Sequence, residues 1–218
     1  MALGLNTEAG GGNYTDIVKF DSRAGRMFRV DRTQDAAGNW TQNIVEITQG
    51  FQAIFDMEGI EVGWALFATG VAPSFAMVPL GQAIPPKPSD QHKQTFRLMM
   101  KLGKSSGGDV REMASQAKAV IAAVDELHDA YKAGLAANPG KLPIVALTGS
   151  TPIVSTGKGQ TSTNYKPTFQ IVGWTDRPAE LTAGGTAAST TQTAAPATTQ
   201  PAAQAPAAQP AMAGAEEF

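Results

Sequence analysis

Residues 109–138 read DVREMASQAKAVIAAVDELHDAYKAGLAAN, and they interrupt a chain that is otherwise patterned as short strands. Val110, Met113, Ala117, Val120, Val124, Leu127, Tyr131 and Leu135 recur at three- and four-residue spacing, which lines one face of a helix. Asp109 is placed as its cap, Ala is abundant inside it, and Asn138-Pro139-Gly140 stops it. The pattern predicts one amphipathic helix of about 28 residues, about 42 Å long at about 1.5 Å per residue. Such a helix needs a β surface to lie against.

Working outward, that surface is supplied on both sides. Before the helix, strand patterning falls at Ile17–Phe20, Met27–Thr33, Trp40–Thr48, Phe51–Met57, Glu61–Phe67, Phe75–Pro79 and Thr95–Leu102. Ala36-Ala37-Gly38-Asn39 reads as a hairpin loop with Gly and Asn at its tip. Ile60, Val62, Trp64 and Leu66 alternate with Glu61, Gly63, Ala65 and Phe67 as a half-buried strand does, and Pro85-Pro86-Lys87-Pro88 is a loop. After the helix come Leu142–Leu147, Thr151–Val154 and Thr168–Trp174, with a polar loop from Ser155 to Asn164 between the last two. The expected class is mainly β with one long helix, an α+β body. Strands, one helix and a closing hairpin is the element order of a Greek-key barrel of the oligonucleotide-binding (OB) type, with a sandwich carrying an inserted helix as the alternative.

The ends differ from this body. Residues 1–13 are Gly-rich and read as a flexible N-terminus, and residues 14–178 as the folded domain, long enough for a sizeable core. From Ala183 to Pro210 there is neither a charge nor a large apolar side chain, so residues 179–218 are expected to stay a disordered linker. It closes on Glu216-Glu217-Phe218, where two acids and one ring form a tip suited to recruiting a partner protein. Lys and Arg number 17, all at or before Arg177, against 16 Asp and Glu through residue 178, so the slight positive excess of the body contrasts with an acidic tail. The N-terminus lacks the pattern of a secretory signal and no window is apolar enough to span a membrane, which predicts a cytoplasmic protein. The sequons at Asn13 and Asn39 are then chance matches.

No cysteine is present, so disulfides, thiolate metal sites and cysteine nucleophiles are excluded. His92 and His128 lie in different element types, and neither has a metal-ligating neighbour at useful spacing. Gly157-Lys158 invites a phosphate-loop reading, but Pro152 and Gly159 stand where that motif needs Gly and Ser or Thr. No nucleophile, base and orienting group occur together, so neither an enzyme nor a cofactor or metal site is expected.

Cations interleaved with aromatics point elsewhere. Arg23, Arg26, Phe28, Arg29 and Arg32 form one cluster; Lys93, Phe96, Arg97, Lys101 and Lys104 form a second; Lys158, Tyr165, Lys166 and Phe169 surround the late loop. Single-stranded nucleic acid needs this pairing, because phosphates take cations and each unstacked base offers a π-face worth about 1–3 kcal/mol to an aromatic ring. Neither contact reads base edges, so binding is sequence-independent. The expected nucleic-acid contacts are Arg26, Phe28, Arg29, Arg32, Trp40, Lys158, Tyr165 and Lys166. Two roles stay open for Phe28, base stacking or core, and for the arginines beside it, contact or rim. Phe96, Trp64, Phe67 and Trp174 are expected in the core, whereas Trp40 beside a hairpin tip is harder to bury.

With barrel order, interleaved cations and rings, and a linker ending in Glu216-Glu217-Phe218, the chain resembles single-stranded DNA-binding proteins, particularly those of bacteriophages and prophages. Gly25-Arg26-Met27-Phe28-Arg29-Val30 and Phe169-Gln170-Ile171-Val172-Gly173-Trp174 look like the first and last barrel strands of phage-type members. The resemblance implies an OB barrel, single-stranded DNA coating in replication or recombination, and a tip that recruits replication or repair proteins. Two departures stand out: the tip carries two acids where the bacterial type commonly has three and then Pro-Phe, and the helix is longer than usual. The alternative function is a phage structural protein, a virion decoration or tail component, with the tail as a spacer. Self-association through a strand or through the helix is open on either reading.

Overall fold

The computed structural model describes residues 16–68, 73–157 and 160–184. The expectations for residues 1–13, Lys158, Glu216, Glu217 and Phe218 lie outside the described residues. Within them the chain is mainly β with one long helix. An N-terminal meander holds β1 (Ile17–Asp21), β2 (Arg26–Gln34) and β3 (Trp40–Glu46). There follow β4 (Gln52–Phe55), β5 (Glu61–Leu66), β6 (Ser74–Pro79), β7 (Lys93–Leu102) and β8 (Val110–Ser115). Helix α1 (Lys118–Gly134) leads into the long hairpin β9 (Lys141–Gly157) and β10 (Gln160–Asp176), and a short helix α2 (Ala179–Gly184) ends the described chain.

Short polar side chains fold the two N-terminal turns. The Asp21 carboxylate accepts the N–H groups of Arg23 and Ala24 at 2.8 and 3.2 Å, and Gly25 takes φ +67°, a left-handed conformation that a side chain would strain. The expected 36–39 hairpin loop is present, with the Asp35 carboxylate accepting from Ala37 and Asn39 N–H, both at 2.9 Å.

The strands form one branched ladder in the order β10-β9-β4-β7-β8-β1-β2-β3, with β5 also on β7 and β6 on β5. β7 is long enough to hold β8 along one edge and β4 and β5 in succession along the other. Closure of a barrel is not reached: among the described residues β3 and β10 are the ends of the path. β10 also meets the β1–β2 turn, where Tyr165 N–H donates to the Ser22 carbonyl at 2.6 Å.

The core packs Phe51, Phe55, Met100 and Met113 from the sheet against Val120, Val124, Leu127 and Tyr131 of α1. The helix expected from Asp109 begins only at Lys118, since Val110–Ser115 is a strand wedged between β7 and β1. Helical spacing misled there because Val110, Met113 and Ala117 imitate it. Arg111, Glu112 and Met113 are buried in succession, which an amphipathic helix does not do. Asp109 holds Arg111 at 2.5 Å instead of capping a helix. The helix stop is as expected, with Asn138 Nδ2 donating to the Gly134 carbonyl at 3.1 Å.

Three other expectations change. The Ser155–Asn164 loop is paired hairpin, with Ser155 opposite Ser162 and Val154 opposite Thr163, because Ser, Thr and Val run as readily in a ribbon as in a loop. The break near Thr148 is a register shift between Thr168 and Phe169, so Leu142–Leu147 and Thr151–Val154 belong to one strand. The linker begins later than residue 179, because α2 seats Leu181 at 1 % exposure and Glu180 pairs with Lys101. In β5 the buried positions are Gly63 and Ala65, while Trp64 is half-buried beneath the Pro85 loop, its Nε1 donating to the Pro85 carbonyl at 2.8 Å.

Candidate nucleic-acid interface

Register decides which side chains of the meander stand together. Lys19 pairs with Phe28 and Phe28 with Glu46; Asp21 pairs with Arg26; Ile17 pairs with Val30 and Val30 with Ile44; Arg32 pairs with Gln42 and Gln34 with Trp40. Directly paired residues point to the same side of a sheet, so all of these share one face. Val18, Phe20 and Met27 occupy the other side and enter the core, with Val45 packed against it. The outward face therefore carries Lys19, Arg26, Phe28, Arg32 and Trp40.

Its side chains differ in how they are held. Arg26 Nη1 reaches Glu46 Oε2 at 2.8 Å, and the Glu46 carboxyl lies below the usual carboxylate range because Thr48 and then Arg26 hydrogen-bond it. Lys19 and, on the adjoining turn, Arg23 are exposed, and no salt bridge holds either among the described residues. Arg32 also lacks an ion pair there, and its Nε is buried with no acceptor. A buried donor left in that state costs about 1–3 kcal/mol. Trp40 is 53 % exposed and Phe28 half-buried.

Arg29 departs from the expectation. It points to the opposite side of β2, where Nε lies 3.0 Å from Asp31 and Nη1 donates to the Ser106 carbonyl at 3.2 Å. Beside it, Arg111 is 4 % exposed in its side chain and is met by Asp31 at 2.8 Å and Asp16 at 3.3 Å. This is a buried ionic clamp between β2 and β8, and Arg29 belongs to it.

Tyr165, distant in sequence, packs against the core and the turn before Arg26 rather than standing on the face. A Cβ built on Gly25 would lie 2.9 Å from Tyr165 Cγ, so the ring rests directly on the backbone one residue before Arg26. Lys166 turns the other way and pairs with Glu126 of α1, at a groove of about 610 Å³ between that helix and β10. The second cation cluster divides: Lys101 pairs with Glu180, while Lys93 and Lys104 are exposed. Phe96 is 4 % exposed, and Arg97 bridges Glu112 at 2.7 Å and Glu61 at 3.5 Å. Trp174 stacks on Tyr131, but Phe67, expected in the core, is 46 % exposed and only edges Phe75.

No protein-family model, curated protein or solved structure matches this chain. The remaining chemistry-bearing residues have local duties. His92 is 8 % exposed, with Nδ1 2.7 Å from Ser89 Oγ, and burial holds the His128 imidazole below its ordinary pKa. Among the described residues no cluster of His, Asp and Glu is arranged to hold a metal ion, and no helix is long and apolar enough to cross a membrane. Lys19 escaped the sequence reading: it stands alone in β1, and only its register opposite Phe28 makes it part of the group.

Proposed function

We propose that this protein binds single-stranded DNA without sequence preference, laying the strand along the outward face of β1, β2 and β3. The observation that carries the reading is the shared face of Lys19, Arg26, Phe28, Arg32 and Trp40. Lys19, Arg23, Arg26 and Arg32 hold phosphates. The Arg26–Glu46 pair is exposed and screened by solvent, so a phosphate displaces it at little cost. Phe28 and Trp40 stack bases.

The open ladder, with β10 joined to the β1–β2 turn at Tyr165 and Ser22, is read as an OB-type barrel, and Lys158 is read as a further phosphate contact. The tail is read as a tether whose Glu216-Glu217-Phe218 tip recruits proteins of replication or recombination, which supports a place in the cytoplasm of a phage-infected host. The test is the affinity for an oligo-dT as salt rises. The logarithm of the binding constant should fall with a slope of about −0.7 per phosphate neutralised. Equal affinity for single- and double-stranded DNA at low salt rejects the reading.

A further inference from the structure

β3 ends its side of the ladder, and among the described residues no strand lies beyond it. From Thr41 to Val45 its outer backbone groups face no strand among the described residues, and these residues are exposed except for half-buried Val45. Folded proteins blunt such an edge with Lys, Pro, a bulge or short length. β3 has none of these: it runs seven residues, uncharged from Trp40 to Val45, and pairs with β2 without a register shift. Its one acid, Glu46, is already met by Arg26. β6, the edge of the other branch, ends in Pro79 instead.

We propose that β3 pairs antiparallel with β3 of a second copy of this chain, joining the two sheets edge to edge. A two-fold axis at Asn43 engages all seven residues and sets Thr41 across from Val45, Gln42 across from Ile44 and Trp40 across from Glu46. No carboxylate then faces another, and Ile44, 52 % exposed alone, lies diagonally beside the Ile44 of the second copy. Because the axis stands perpendicular to the sheet, both outward faces point the same way. On the DNA-binding reading, which this consequence alone needs, Arg26, Phe28 and Arg32 of both copies line one continuous track. A seven-residue strand pair buries less than the about 1,600 Å² of a standard interface, so the dimer exchanges with monomer and is to be sought over about micromolar concentrations.

Sedimentation velocity of the full chain across that range tests the pairing. Asn43→Lys sets an ammonium group opposite itself and should raise the dissociation constant about tenfold or more. Asn43→Ser should leave it unchanged. Ile44→Lys should act like Asn43→Lys, and the position of both on an exposed strand keeps the fold intact, checked by the melting curve. A wild-type chain that stays monomeric, or a dimer that both lysine variants leave equally tight, overturns the proposal. Oligo-dT affinity measured on the same samples separates the two ideas: lost binding with an intact dimer rejects only the function, and retained binding by a strict monomer rejects only the pairing.

Discussion

Gly25 is where one residue's geometry seats the β9–β10 hairpin on the β1–β2 turn. Its φ of +67° disfavours any side chain by about 1–2 kcal/mol, and a Cβ would meet both Tyr165 Cγ and Ser150 Oγ at 2.9 Å. Gly25→Ala should therefore lower stability by about 2–4 kcal/mol in urea unfolding, strain and overpacking together. The two arginines of β2 offer a sharper contrast. Arg32→Ala should weaken oligo-dT binding and flatten its salt slope by about 0.7, whereas Arg29→Ala should leave the slope alone and lower the melting temperature. That difference was hidden in the sequence, where Arg29 and Arg32 look alike; only their opposite sides of the strand separate them. Asp35 supplies the pH dependence. Asn39, through its side chain and backbone, holds this carboxyl below its usual 3.8, so the ordering it lends the Trp40 hairpin is present above that value. It is lost as pH falls through the lower folded value. Amide shifts of Ala37 and Asn39 should track this titration and should not respond in Asp35→Asn.

At the scale of elements, alternation and turn residues were legible because they are local. The 36–39 loop, the 85–88 loop and the strands flanking them are where pattern puts them. Val110–Ser115 was not legible, since its state is set by β7 and β1 on either side, and its apolar spacing satisfies a helix equally well. The α1–β10 contact shows how packing outweighs propensity. Replacing Gly by Ala favours a helix interior by up to about 1 kcal/mol, yet at Gly134 the new Cβ would stand 2.3 Å from Trp174 Cζ2. Gly134→Ala should destabilise the protein by about 1–3 kcal/mol, with a change in Trp174 fluorescence as the ring leaves Tyr131.

Over the whole molecule, the described core runs from Val18 to Leu181, and a truncation that removes residues 185–218 keeps every one of those residues. That truncation should leave the melting curve and oligo-dT affinity intact while abolishing recruitment of replication proteins; a truncation at residue 179 should lower stability as well, because it strips Leu181 and the Glu180–Lys101 pair. The class, the helix and the long polar tail could be read from composition and periodicity. Strand order and register could not, because they are properties of pairs of segments, and on them the shared cationic face depends. The order also has a consequence in time. Ile17 finds its parallel neighbour at Glu112, and Ser22 its partner at Tyr165, so the meander leaves the ribosome long before either seat exists. Such non-local closure makes folding slow, and the nascent chain spends that interval with the apolar underside of the meander bare.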